Sequence, residues 1–106
     1  MKLTSFVQER QITVALTGEI DHHCAHEIMA AISEKIDLYM PLRCILDFRN
    51  VRFMDSSGIA VVLHTLRRMN TLQGKLILQN IPAQPYKVLR AAGIEKLTDI
   101  KEECTK

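Results

Sequence analysis

Residues 44–79 read CILDFRNVRFMDSSGIAVVLHTLRRMNTLQGKLILQ, and the hydrophobic period changes twice within them. Cys44-Ile45-Leu46-Asp47-Phe48 is a short apolar run, the mark of a buried strand. Arg49-Asn50-Val51-Arg52 reads as a polar connection leading into Phe53-Met54-Asp55-Ser56-Ser57-Gly58. Ile59, Val62, Leu63, Leu66 and Met69 then recur along one face of a helix. Gly74 closes that segment, and Lys75 to Gln79 (KLILQ) reads as a second strand. Strand, helix and strand in this order form a crossover unit, and a right-handed crossover makes the two strands parallel. The unit points to an α/β fold.

The chain on either side extends the pattern. Residues 3–8 and 11–17 read as strands, the second with Ile12, Val14 and Leu16 alternating with Thr13, Ala15 and Thr17. Glu9-Arg10-Gln11 is a short polar turn between them, so the chain opens with a hairpin, and Gly18 punctuates its end. From about residue 22 the period becomes helical: Ala25, Ile28, Met29, Ile32, Ile36 and Tyr39 share one face. Asp21 is placed as the N-cap of this helix and Pro41 stops it. Residues 83–92 carry Val88, Leu89 and Ala92 at helical spacing, with Gly93 where a left-handed cap is expected. Leu97 to Ile100 is expected to form a last short strand. The resulting expectation is one α/β domain over residues 1–106. Its sheet is mixed but mostly parallel, has about four to five strands opened by a hairpin, and carries about three to four helices.

Composition agrees. A chain of 106 residues with 47% hydrophobic and 25% charged side chains has the balance of a soluble globular domain. It is long enough to bury a core without disulfide staples. No apolar run reaches the roughly 18 residues needed to span a bilayer. The first residues, MKLTSFVQERQ, lack the apolar segment of a secretory signal. The net charge of +2 is too small to argue for nucleic acid, although residues 43–90 hold 8 basic and 2 acidic side chains. The favoured reading of that excess is solvated charge around the sheet. Cys24, Cys44 and Cys104 form no CxxC pair, and Cys44 lies in an apolar run. A reducing cytoplasm is therefore expected. A free monomer is also expected, with no membrane and no direct nucleic-acid partner.

Three constellations could carry chemistry. Asp55-Ser56-Ser57-Gly58 stands between a strand and a helix, where unpaired N–H groups and the helix dipole favour a phosphate. The plainer reading is capping, since Asp and Ser are favoured N-caps; one serine can cap, which leaves the other spare. A serine hydrolase would need a base beside the serine. His64 lies two helical turns beyond Ser56, about 12 Å of rise, and no GxSxG elbow occurs. Asp21-His22-His23-Cys24 with nearby His26 offers metal-ligand types, but at no standard zinc spacing. No phosphate-cradling glycine loop is present, and Asp47 reads as a solvated carboxylate at a strand end. No cofactor and no metal are expected.

Leu16-Thr17-Gly18-Glu19-Ile20-Asp21-His22-His23, followed further along by Phe53-Met54-Asp55-Ser56-Ser57-Gly58-Ile59, resembles the anti-sigma factor antagonists built on the STAS domain, and among them the sporulation type. The resemblance covers the whole chain, including Gly74-Lys75-Leu76 and Ala92-Gly93-Ile94. It implies a cytoplasmic regulator of transcription rather than an enzyme. Such a protein binds an anti-sigma factor that is itself an ATP-dependent serine kinase, and so releases the sigma factor. Phosphorylation of the serine after the aspartate, here Ser56, breaks the complex, and a serine phosphatase restores it. The resemblance places Asp21, His22, His23, Asp55, Ser56, Ser57 and Gly58 at the partner surface, without metal. Cys24 departs from the small hydroxylic residue frequent in the family after the two histidines. The alternative is a soluble STAS scaffold module in another signalling complex.

Overall fold

The computed structural model describes residues 2–101. Strands β1 (Lys2–Gln8) and β2 (Gln11–Ile20) form the expected antiparallel hairpin, turned at Glu9 and Arg10 with Glu9 at φ 55°. Then follow α1 (Ala25–Tyr39), β3 (Arg43–Met54), α2 (Ser57–Thr71), β4 (Lys75–Gln79) and α3 (Ala83–Ala91). A single 3-10 turn (Ile94–Lys96) and β5 (Asp99–Lys101) complete the described chain. The strands lie in the order β1-β2-β3-β4-β5, with every pair after the hairpin parallel. The sheet is mixed and mostly parallel, as the sequence predicts.

Alternation builds the core. Ile12, Val14 and Leu16 of β2, Cys44, Leu46 and Phe48 of β3, and Leu76 and Leu78 of β4 are buried on one face. The helices cover that face with Ile28, Ile32 and Ile36 from α1, Val61, Val62 and Met69 from α2, and Leu89 from α3. Burial pushes the Cys44 thiol up to about 12, so it packs as a small hydrophobe. On the other face Ile45 and Ile77 are half-buried, and Phe6, in register with Thr13, is exposed.

Four boundaries differ from the expectation. Arg49–Arg52 is not a connection: β3 continues to Met54. Its pairing with β2 shifts register twice, between Ala15 and Thr17 and between Gly18 and Glu19. Each shift places an extra β3 residue against β2, so after Phe48 the buried positions are Val51 and Met54, three apart. A period of three hides a strand from a search for period two. Gly18 likewise lies within β2, at one of these shifts. Helix α1 starts at Ala25 rather than near residue 22, and its N-cap position is Cys24. The last strand falls at Asp99–Lys101. Met40, at φ 45°, ends α1 just before Pro41, and Gly93 takes the expected left-handed conformation at φ 76°. Cys104 lies outside the described residues. None of the described helices is long and apolar enough to cross a membrane.

Candidate functional site

The parallel strands β2 and β3 end side by side, with Ile20 in register with Met54. The next residue on each strand therefore begins a neighbouring loop, and the amide of Asp55 donates to the carbonyl of Ile20 at 3.1 Å. The topology thus brings together the two segments that the sequence singles out, Asp21-His22-His23 and Asp55-Ser56-Ser57.

Each loop is organised by its aspartate. Asp21 Oδ1 accepts from the amides of His23 at 3.0 Å and Cys24 at 3.3 Å, and lies 3.5 Å from Cys24 Sγ. It caps the turn that precedes α1 rather than the helix itself. Desolvation opposes its ionisation, but the Cys24 thiol, the two amides and the His23 imidazole outweigh this and hold its pKa below the ordinary value. His22 and His23 are exposed, with ring centroids 4.2 Å apart. Asp55 Oδ1 accepts from the Ser57 amide at 2.8 Å, which makes it the capping side chain at the start of α2. Ser56 holds the N-cap position, yet its hydroxyl makes no capping bond, and the residue is exposed. Ser57 is half-buried.

Gly58 is buried, so it offers little surface to a partner. A Cβ there would lie 2.3 Å from both Cγ and Sδ of Met54, a residue that is itself fully buried. The missing side chain lets the first turn of α2 close onto the end of β3.

His64 has no part in a triad at Ser56. Its Nε2 lies 2.6 Å from Ser33 Oγ and bridges α2 to α1. Burial, then Arg68 and Arg67, hold its pKa below the ordinary value. Among the described residues no three His, Cys, Asp or Glu side chains converge to hold a metal ion.

One participant escapes sequence reasoning. Gln84, in the first turn of α3, accepts from the Met54 amide at 2.8 Å and donates to the Met54 carbonyl at 2.9 Å. A glutamine near a helix start carries no local signal for such a role; only the fold brings it to the end of β3.

The STAS domain matches residues 4–104, and the chain belongs to the STAS-domain family. Within that family it is similar to proteins named as antagonists of anti-sigma factors. It shares 33% identity over 88 residues with the anti-sigma F factor antagonist of Lysinibacillus sphaericus, covering 83% of this chain and 75% of the relative. The structure of the anti-sigma factor antagonist SpoIIAA in its unphosphorylated form matches with a TM-score of 0.84 at 29% identity, covering 97% of this chain and 89% of SpoIIAA. The phosphorylated form of the Bacillus cell fate determinant SpoIIAA matches with a TM-score of 0.76 at 29% identity, covering 97% and 92%.

Proposed function

We infer that this protein is an anti-sigma factor antagonist, a regulatory rather than catalytic protein that controls a sigma factor by switching partners. Unphosphorylated, it binds an anti-sigma factor with ATP-dependent serine kinase activity. That kinase phosphorylates Ser56 and the complex breaks. A serine phosphatase returns the protein to its binding form. The observation that carries this reading is the Ser56 hydroxyl. It is exposed at a helix start, relieved of capping by Asp55, and set in a loop bonded to the Asp21 loop. The similarity to an antagonist with both phosphorylated and unphosphorylated structures supports it.

The chemistry of the switch is electrostatic. A phosphoserine adds about −1.5 to −2 charge at pH 7. Asp55 is adjacent and Asp21 lies in the neighbouring loop, so the charge would be added to an acidic spot. Moving a complex from 99:1 to 1:99 takes about 5.5 kcal/mol, and like charge in an interface costs several kcal/mol. One phosphate supplies most of that.

The test uses wild-type protein, Ser56→Ala and Ser56→Asp as baits in lysate of the source cell with ATP. Bound proteins and bait phosphorylation are read by mass spectrometry. Wild type and Ser56→Ala are expected to capture an ATP-binding kinase, and Ser56→Asp to lose it. Phosphate is expected on wild type alone. Equal capture by all three, with no phosphate at Ser56, would remove Ser56 from the mechanism and favour a scaffold module.

A further inference from the structure

The geometry points to Gln84 as the positioning residue of Ser56, a role that rests on Ser56 being the modified serine. Beyond Asp47, whose partner is Gln79, β3 has no strand beside it on the β4 side among the described residues. Its last residue, Met54, would therefore have no ladder partner there for its amide and carbonyl. Gln84 supplies both from one side chain, because a primary amide carries an acceptor and a donor side by side. The carboxamide replaces one residue of a missing strand. Met54 is held from a second direction too, since its buried side chain packs against Gly58 in the first turn of α2.

Between these two anchors lies only Asp55-Ser56-Ser57. Ser56 itself has no capping bond to hold it. The position of its hydroxyl is thus set by the main chain on either side: Gln84 holds Met54, the Ile20 carbonyl holds the Asp55 amide, and the Asp55 carboxylate holds the Ser57 amide. Helix α3 thereby becomes part of the apparatus that presents the serine, although Gln84 itself touches neither the serine nor any phosphate donor.

Two substitutions separate positioning from simple stability. Gln84→Met keeps the length of the side chain and removes both bonds. Gln84→Glu keeps an acceptor when ionised, but cannot donate to the Met54 carbonyl. When protonated, its carboxylic acid again carries an acceptor and a donor side by side. Amide hydrogen exchange of Met54 and Asp55 is measured by NMR for each variant against wild type at matched pH. In a parallel assay, phosphate incorporation at Ser56 is timed with the ATP-supplemented source-cell lysate.

In Gln84→Met the Met54 amide is expected to exchange about 5-fold faster, the scale of one lost hydrogen bond. Phosphate incorporation is expected to slow, while protein below its melting temperature stays folded. Ionised at pH 7.5, Gln84→Glu keeps the acceptor for the Met54 amide, so its Met54 exchange is expected to stay closer to wild type than that of Gln84→Met; near pH 4.5 its protonated fraction again donates to the Met54 carbonyl. A purely structural role lowers the melting temperature of Gln84→Met without slowing phosphate incorporation at a temperature where the variant is folded. Unchanged Met54 exchange in Gln84→Met, or a phosphorylation rate equal to that of wild type, overturns the proposal. A wild type that takes no phosphate marks a different failure: it overturns the switch at Ser56, and the role of Gln84 in presenting that serine falls with it.

Discussion

The carboxylate of Asp55 accepts the Ser57 amide at 2.8 Å, so removing the carboxylate and removing its charge are different experiments. Asp55→Asn retains the oxygen acceptor, and its melting temperature is expected to stay close to wild type. Asp55→Ala loses the cap, at about 1 kcal/mol, which lowers the melting temperature by roughly 4–8 °C in a domain of this size. Thermal unfolding of the two variants distinguishes cap from charge. If the phosphate acts by repulsion, phosphorylated Asp55→Asn also keeps more affinity for the partner than phosphorylated wild type. Asp21 invites the same comparison. Its Oδ1 accepts two amides, and Asp21→Asn preserves that acceptor while removing the charge. Partner capture is expected to fall with the melting temperature held. Capture unchanged in Asp21→Asn would leave this residue as a turn cap alone.

At the scale of elements, the closeness of α2 to β3 and of α2 to α1 sets the site. Gly58→Ala drives a Cβ into the fully buried Met54 side chain and is expected to cost about 1–3 kcal/mol as an overpacking change. Met54→Ala alone opens a cavity at roughly 2–5 kcal/mol. The double variant should be less damaging than the sum, because the new methyl enters the vacated space; denaturant unfolding of all three closes the cycle. The α1–α2 contact is expected to depend on pH through His64. The groups facing that imidazole are Arg67 and Arg68 on its own helix and Ser33 on α1, while Asp37 of α1 is engaged by Arg68. A histidine whose folded pKa is depressed binds protons more readily when unfolded. Its stabilising contribution is therefore complete above the unfolded pKa of about 6.5 and is lost as pH falls towards the lower folded value. Wild type should lose melting temperature relative to His64→Gln between pH 8 and pH 5; parallel curves would show that His64 does not titrate against folding. The same elements explain what sequence could and could not reveal. Where side chains alternate strictly, as from Ile12 to Leu16, or recur helically, as from Ile59 to Met69, periodicity locates the element. It fails from Arg49 to Arg52, because two register shifts turn period two into period three. Asp55-Ser56 and Asp21 stand out by residue type, but Gln84 does not, since its partner, Met54, is thirty positions away in sequence.

Over the whole molecule, the proposed switch divides on whether a phosphate at Ser56 would reshape the fold or change its charge. The site sits where β2 and β3 end, on loops outside the sheet, and the core beneath it is one continuous buried cluster. A close-packed core resists small displacements rather than relaying them gradually. These points favour a switch confined to the surface, and such a switch has a salt signature. Repulsion between exposed charges is screened over about 10 Å at 0.1 M ionic strength and about 3 Å at 1 M. The affinity gap between wild type and phosphorylated protein should accordingly narrow as salt rises, measured by titration calorimetry against the captured partner. Amide shifts on phosphorylation should be confined to the Asp21 and Ser56 loops and the first turn of α2. The exposed residues Leu38, Tyr39, Met40 and Leu42, at the other end of β3, should keep their positions in the spectrum. A gap that ignores salt, together with shifts reaching Leu38, would mean that phosphate remodels the α1–α2 pair, and the Ser33–His64 bridge would then be the first contact to break.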